Sequence, residues 1–129
     1  MSLFVKKTFV MHSGDIGHYK IEFDAMTDDD VEALAYMIAE STAFSEVVGV
    51  PSYNGNRLAE ALRPYAKNHP AILIVDDVLT TGASMNQTRD QAKEFYGDIP
   101  IIGVVVFARQ RPTESWIRPL FQMWTPAYV

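Results

Sequence analysis

The stretch ILIVDDVLTTGAS, Ile72 to Ser84, changes character twice. Its apolar opening, Ala71 to Val75, reads as a buried strand. That strand runs into two adjacent carboxylates, Asp76 and Asp77. A turn rich in Thr and Gly follows, and Ser84 to Tyr96 then reads as a helix. Met85, Thr88, Ala92 and Phe95 recur on one side of it, and Gly97 closes it.

Each part of the stretch has a chemical use. Thr80, Thr81 and Ser84 supply hydroxyl donors, and Gly82 lets the backbone approach an anion closely. The amides from Thr80 to Ser84 open a helix, where free N–H groups and the dipole favour phosphate. Asp76 and Asp77 repel phosphate but suit ribose hydroxyls or a developing positive charge. One loop can therefore grip a ribose 5-phosphate at both ends. The bland alternative is an ordinary strand–turn–helix with a polar cap. Other phosphate motifs are absent: the sequence has no G-x-x-x-x-G-K-[ST] and no G-x-G-x-x-G. A response-regulator receiver would need an isolated Asp after a later strand, and none follows.

Working outward, Phe44 to Val50 reads as a short buried strand and Pro51–Gly55 as a loop. Arg57 to Lys67 carries Leu58, Leu62 and Tyr65 on one face, a helix that Pro64 kinks or ends. Ile99 to Ala108 is a continuous β-branched run, as in a parallel strand buried on both faces. Alternating strands and helices imply a parallel sheet with right-handed crossovers. Ligands sit at the carboxyl ends of such strands. The loops at Pro51–Gly55, Asp76–Ala83 and Ala108–Arg111 should converge there.

Towards the amino terminus, Phe4 to Met11 reads as a strand, His12 to Asp15 as a turn, and Tyr19, Ile21 and Phe23 alternate with polar residues. The three together predict a β-hairpin. Thr27 and Asp30 form a near capping box, and a helix with Val31, Leu34, Ala35, Ile38 and Ala39 inward ends near Ser41. A last short strand falls near Leu120–Trp124. The expected fold class is α/β: a central, mostly parallel sheet flanked by helices, with an N-terminal β-hairpin.

The totals fit this. A chain of 129 residues with 48% hydrophobic content suits one domain spanning 1–129. There is no cysteine for a disulfide or thiolate metal site, and His12, His18 and His69 are too scattered for a ligand pattern. The net charge of −5 argues against nucleic-acid binding. The apolar runs at Ala71–Val75 and Ile99–Ala108 are too short to span a bilayer. No signal-peptide pattern opens the chain. The expectation is a soluble cytoplasmic protein without a membrane or nucleic-acid partner.

The string VDDVLTTGAS resembles the phosphoribosyl diphosphate (PRPP) motif of type I phosphoribosyltransferases. More of the chain is similar to the orotate branch: FVMHSGDIGHYKIEFD (Phe9–Asp24), VVGVPSYNGNRLAEAL (Val47–Leu62) and VVVFARQ (Val104–Gln110). The resemblance implies transfer of phosphoribose from PRPP to a nucleobase, orotate or a purine, with diphosphate released. Asp76 and Asp77 would serve catalysis at the ribose, and Val78, Leu79, Thr80, Thr81, Gly82, Ala83 and Ser84 would cradle PRPP or a nucleoside monophosphate. Ser52, Tyr53, Asn54 and Gly55 would form the diphosphate loop, and Arg109 would contact the base. Mg²⁺ would be held through the diphosphate rather than by direct protein ligands, and a homodimer is the expected assembly.

Departures are equally specific. Asn54 and His12 stand where orotate enzymes usually carry Lys. Only Lys67-Asn68-His69-Pro70 replaces their long mobile loop, which supplies Lys and His to the diphosphate. Arg57, Lys67 and His69, with Lys6 or Lys7 supplied by a second copy of the chain, are the remaining cationic candidates. A non-catalytic, regulatory PRPP or nucleotide binder that has lost this hood is the alternative, and an interaction module on the same fold is a third reading. Trp116, Phe121 and Trp124 read as core or dimer packing, with stacking on a base as the other use.

Overall fold

The computed structural model describes residues 3–10 and 16–123. The His12–Asp15 turn, Met11 and Trp124 lie outside the described residues. Strands β1 (Phe4–Val10) and β2 (Ile16–Ile21) pair antiparallel as the expected hairpin. Helix α1 (Asp28–Ser41), β3 (Glu46–Gly49), α2 (Tyr53–Leu62), β4 (Ile72–Leu79), α3 (Ala83–Tyr96), β5 (Ile101–Ala108) and β6 (Ile117–Gln122) follow. The second sheet runs β3-β4-β5-β6 with every neighbouring pair parallel. The α/β class read from the sequence is the one observed.

Local chemistry explains the elements. The capping box at α1 is complete: Thr27 Oγ1 accepts from Asp30 N at 3.1 Å, and Asp30 Oδ2 accepts from Thr27 N at 3.0 Å. β4 reads as unbroken apolar sequence because both its faces are covered. On one face Leu73 and Val75, with Val47, Val104 and Val106, meet Val31, Ala35 and Ile38 of α1 and Leu58 and Leu62 of α2. On the other, Ile74, Val105 and Ile117 meet Met85 and Ala92 of α3. The hairpin is anchored through Phe4, whose ring meets Phe107 edge-on at 6.0 Å, beside Phe23 at 5.3 Å.

Four of the boundaries that differ from the sequence expectation have a clear physical cause. β4 does not stop at Val75: the register continues through Asp76↔Val105, Val78↔Phe107 and Leu79↔Ala108, so both carboxylates belong to the strand. Helix α2 starts at Tyr53 rather than beyond Gly55, because Ser52 Oγ accepts from Gly55 N at 2.9 Å and caps it. It ends at Leu62 rather than Lys67, and Pro64 sits in a separate 3₁₀ turn, Arg63–Tyr65, where its missing N–H costs nothing. β6 begins at Ile117, earlier than Leu120, as the partner of Gly103 on β5.

The β5–β6 connection is parallel yet has no helix, although such crossovers commonly need a dozen residues or more. Trp116 makes the short route possible. A Cβ on Gly103 would stand 2.6 Å from its Cζ3, so the indole lies directly on the strand backbone. Its Nε1 donates to Asn86 Oδ1 at 3.2 Å, and the Arg89 guanidinium lies 4.9 Å from the ring centre. Trp116 therefore packs, at the amino half of β5, and does not stack on a base. Phe121 stacks on Phe107 with ring centres 5.4 Å apart. Gly103→Ala should destabilise the fold by about 2 kcal/mol through overpacking. Urea denaturation should show most of that cost vanishing when Trp116 is shortened to Leu in the same chain.

Candidate functional site

The site forms where β4 delivers its carboxylates and α3 begins. Up to Asp76 the strand alternates strictly, then it breaks step: Val75 and Val78 both join the α1/α2 core, and Leu79 joins the α3 side. β5 breaks beside it, with Val106 and Phe107 both on the α1/α2 side. At the break, side chains bond the backbone locally. Asp76 Oδ1 accepts from Asp77 N at 2.8 Å, and Asp77 Oδ1 accepts from Val78 N at 2.7 Å.

Asp76 is only 8% exposed, and Ser52 Oγ lies 3.5 Å from its Oδ1. Burial, then the adjacent Asp77 charge, pushes its carboxyl up to about 7, against the opposing bonds from Asp77 N and Ser52. Asp77 is half-buried, and its Oδ2 accepts from Asn54 Nδ2 at 3.1 Å. The same nitrogen donates to Asp24 Oδ1 at 3.2 Å. Asp24 thus joins the site from the 3₁₀ turn Phe23–Ala25. In the sequence it is only the polar end of an alternating strand pattern, which carries no signal of this placement.

The turn beyond is shaped for an anion. Gly82 has φ +86°, the left-handed region, which a side chain would strain. It caps α3 with no side-chain hydrogen bond, and the first turn of α3 holds no acidic residue. Thr81 Oγ1 accepts from Ala83 N at 3.3 Å, and Asn86 N closes the first helical bond to Gly82 O at 3.0 Å. Thr80, Thr81, Ala83 and Ser84 are exposed, while Leu79 is buried and offers the loop only its backbone. Arg109 follows β5 at the same end of the sheet, since Ala108 pairs with Leu79.

The Pro51–Gly55 segment divides by residue. Ser52 and Asn54 turn towards the carboxylates, whereas Tyr53 is 66% exposed and stands under the Arg57 guanidinium at 5.2 Å. Arg57 is committed elsewhere: it donates to Met26 O at 3.0 Å, Asp28 Oδ1 at 3.2 Å and Asn54 Oδ1 at 3.3 Å. A groove of about 590 Å³ between α1 and α2, lined by Asp28, Glu32, Tyr53, Arg57 and Glu60 among others, meets the site through Tyr53 and through Arg57, which bonds Asn54.

Lys67 and His69 drop out as diphosphate cations. They lie in the connection leading into the amino end of β4, and roughly 17 Å of strand separates Ile72 from Asp77 at about 3.3 Å per residue. That connection is also tied down: Lys67 N donates to Phe44 O at 2.8 Å, and His69 Nδ1 accepts from Ala71 N at 3.1 Å. The Lys6 and Lys7 side chains lie outside what the structure describes. Among the described residues no group of three or more His, Asp or Glu side chains could hold a metal ion, and no helix is long and apolar enough to cross a membrane.

Comparison with solved structures fixes the fold. The chain superposes on an orotate phosphoribosyltransferase from Aeropyrum pernix with a TM-score of 0.67 and 19% identity, covering 83% of this chain and 76% of that one. For the orotate phosphoribosyltransferase of Francisella tularensis the TM-score is 0.61 and the identity 20%, over 84% and 65% of the two chains. A UMP synthase from Leishmania donovani gives 0.72 and 13%, over 94% of this chain and 33% of that one. No protein-family model matches the sequence, and no curated protein is detectably similar to it. At these identities the likeness is one of architecture: this is a type I phosphoribosyltransferase-like fold.

Proposed function

We propose that this protein is a phosphoribosyltransferase that binds PRPP, or the nucleoside monophosphate product, between Asp76 and Ser84 and transfers phosphoribose to a nucleobase, orotate or a purine. The observation that carries the reading is the continuous path from the paired carboxylates to the open amino end of α3. The path is paved by the Gly82 turn and the exposed Thr80, Thr81 and Ser84. A 5-phosphate at the α3 amides puts the ribose hydroxyls within reach of Asp76 and Asp77. As diphosphate leaves C1, positive charge grows on the ribose, and the two carboxylates favour it electrostatically. Arg109 is the candidate for contact with the base.

Mg²⁺ fits this donor set as an ion carried by the diphosphate. Hard oxygens are present, and among the described residues no cage of protein ligands is, so Asp76 and Asp77 would meet it through water. When bound, it would neutralise charge on the leaving group. Ser52 would help to orient Asp76, and the α3 amides would fix the phosphate so that C1 has one direction of attack.

The second reading, a binder without turnover, has its own support. The connection between α2 and β4 is short, tethered and at the wrong end of the sheet to close over the site. Without closure, water competes for C1. A thermal-shift screen with PRPP, Mg²⁺ and nucleoside monophosphates, followed by diphosphate release with each base, separates the two. Binding should stabilise the fold by about 2.7 kcal/mol at a hundredfold excess over Kd. Base-dependent diphosphate release identifies the transferase, and stabilisation without release identifies the binder. In calorimetric titrations, Asp77→Asn and Thr81→Val should each weaken PRPP binding roughly tenfold, about 1.4 kcal/mol, with both variants still folded. Affinities equal to wild type would remove both residues from the site.

A further inference from the structure

We infer that Asn54 is a positioning residue, which aims the Asp77 carboxylate from the first turn of α2 and makes no contact with diphosphate. This rests on the ribose site proposed above. Asn54 is only 7% exposed, so its amide must find its partners inside the protein. It does so completely on the donor side. One amide nitrogen carries two protons, and it reaches two carboxylates, Asp77 Oδ2 at 3.1 Å and Asp24 Oδ1 at 3.2 Å. The carbonyl oxygen accepts from Arg57 Nη1 at 3.3 Å.

That third bond decides which way the amide faces. A flipped Asn54 would set its carbonyl oxygen against two carboxylates and its NH₂ against a guanidinium. The network therefore admits one orientation. Arg57 is itself fixed by Met26 O and Asp28 Oδ1, so the chain of contacts runs from the start of α1 through Arg57 and Asn54 to Asp77. The other Asp77 oxygen is held by Val78 N at 2.7 Å. With one bond to each oxygen, the carboxylate plane is set. A lysine at this position could satisfy a diphosphate only by leaving the buried place that Asn54 fills. The side chain has been turned from the leaving group to the ribose carboxylate.

Two measurements test this separately from the ribose reading. The first needs no ligand: carboxyl-detected NMR titration of the full chain, wild type against Asn54→Ala. The expected result is a changed Asp77 carboxyl resonance. The second is calorimetric titration with PRPP and Mg²⁺, where Asn54→Ala should bind about tenfold more weakly. Arg57→Met, which leaves Asn54 in place but removes the bond to its carbonyl oxygen, should shift both readouts in the same direction and by less. It also serves if Asn54→Ala does not fold. An unchanged Asp77 resonance in the folded variants overturns the inference, whatever PRPP does. Wild type that fails to bind PRPP overturns the ribose reading instead, and the NMR titration still decides the role of Asn54.

Discussion

Replacing Gly55 by alanine should cost the fold about 3 kcal/mol or more, a large share of the stability of a domain this size. Helix propensity predicts the opposite sign. Gly55 lies in the first turns of α2 and is not among the glycines with positive φ, so alanine there would gain up to about 1 kcal/mol on propensity alone. Packing overrides that gain. A Cβ on Gly55 would stand 2.2 Å from Val50 O and 2.8 Å from Ser52 Oγ. The first neighbour is backbone and cannot move aside without shifting β3. The same approach is seen from the other side at Gly49, where a Cβ would stand 2.4 Å from Gly55 O. Two glycines thus let the end of β3 and the start of α2 touch, and that contact holds Ser52 and Asn54 against the carboxylates. Equilibrium urea denaturation should show the loss, with Gly49→Ala comparably affected. Variants that fold as stably as wild type would mean that the β3–α2 contact is looser than these distances require.

The same pair of glycines shows what the sequence could and could not disclose. The Ile72–Ser84 stretch revealed its fold because each segment has one dominant local cause: an apolar run buried on both faces, then a Gly turn, then helical periodicity. The strand's continuation through Asp76 and Asp77 was not legible, because it is set by hydrogen bonding to β5 rather than by the residues themselves. The start of α2 was misjudged for a related reason. Ser-Tyr-Asn-Gly reads as a turn by composition, and only the contact with β3 gives Gly55 a helical place. By sequence Asn54 is a loop residue suited to face a ligand, whereas the three-way bond to Asp24, Asp77 and Arg57 turns it inward. Lys67 and His69 looked available by charge alone, and topology carried them to the far end of the sheet.

Asp76→Asn should make the protein more stable at neutral pH and leave it nearly unchanged at pH 4. The carboxyl's folded value of about 7 lies above its ordinary value of 3.8, because burial and the Asp77 charge both penalise ionisation. The folded state therefore holds a proton that the unfolded chain releases once pH passes about 4. Stability must fall as pH rises from there to about 7, and level off above it. Three pH units would correspond to roughly 4 kcal/mol at 1.36 kcal/mol per unit, an upper bound for a pair that shares its titration. A difference on the order of 2–4 kcal/mol between wild type and Asp76→Asn should open across that window in urea denaturation at fixed ionic strength. An asparagine oxygen still accepts from Asp77 N and Ser52, so the variant removes the charge and keeps those bonds. A difference that stays flat from pH 4 to 8 would mean that Asp76 ionises freely in the folded protein. If the difference opens, the free site stores an electrostatic penalty at neutral pH. A ligand that brought Mg²⁺ beside Asp76 would relieve that penalty, and its affinity should climb with pH up to about 7. In Asp76→Asn that climb should be lost, because no carboxyl remains there to ionise.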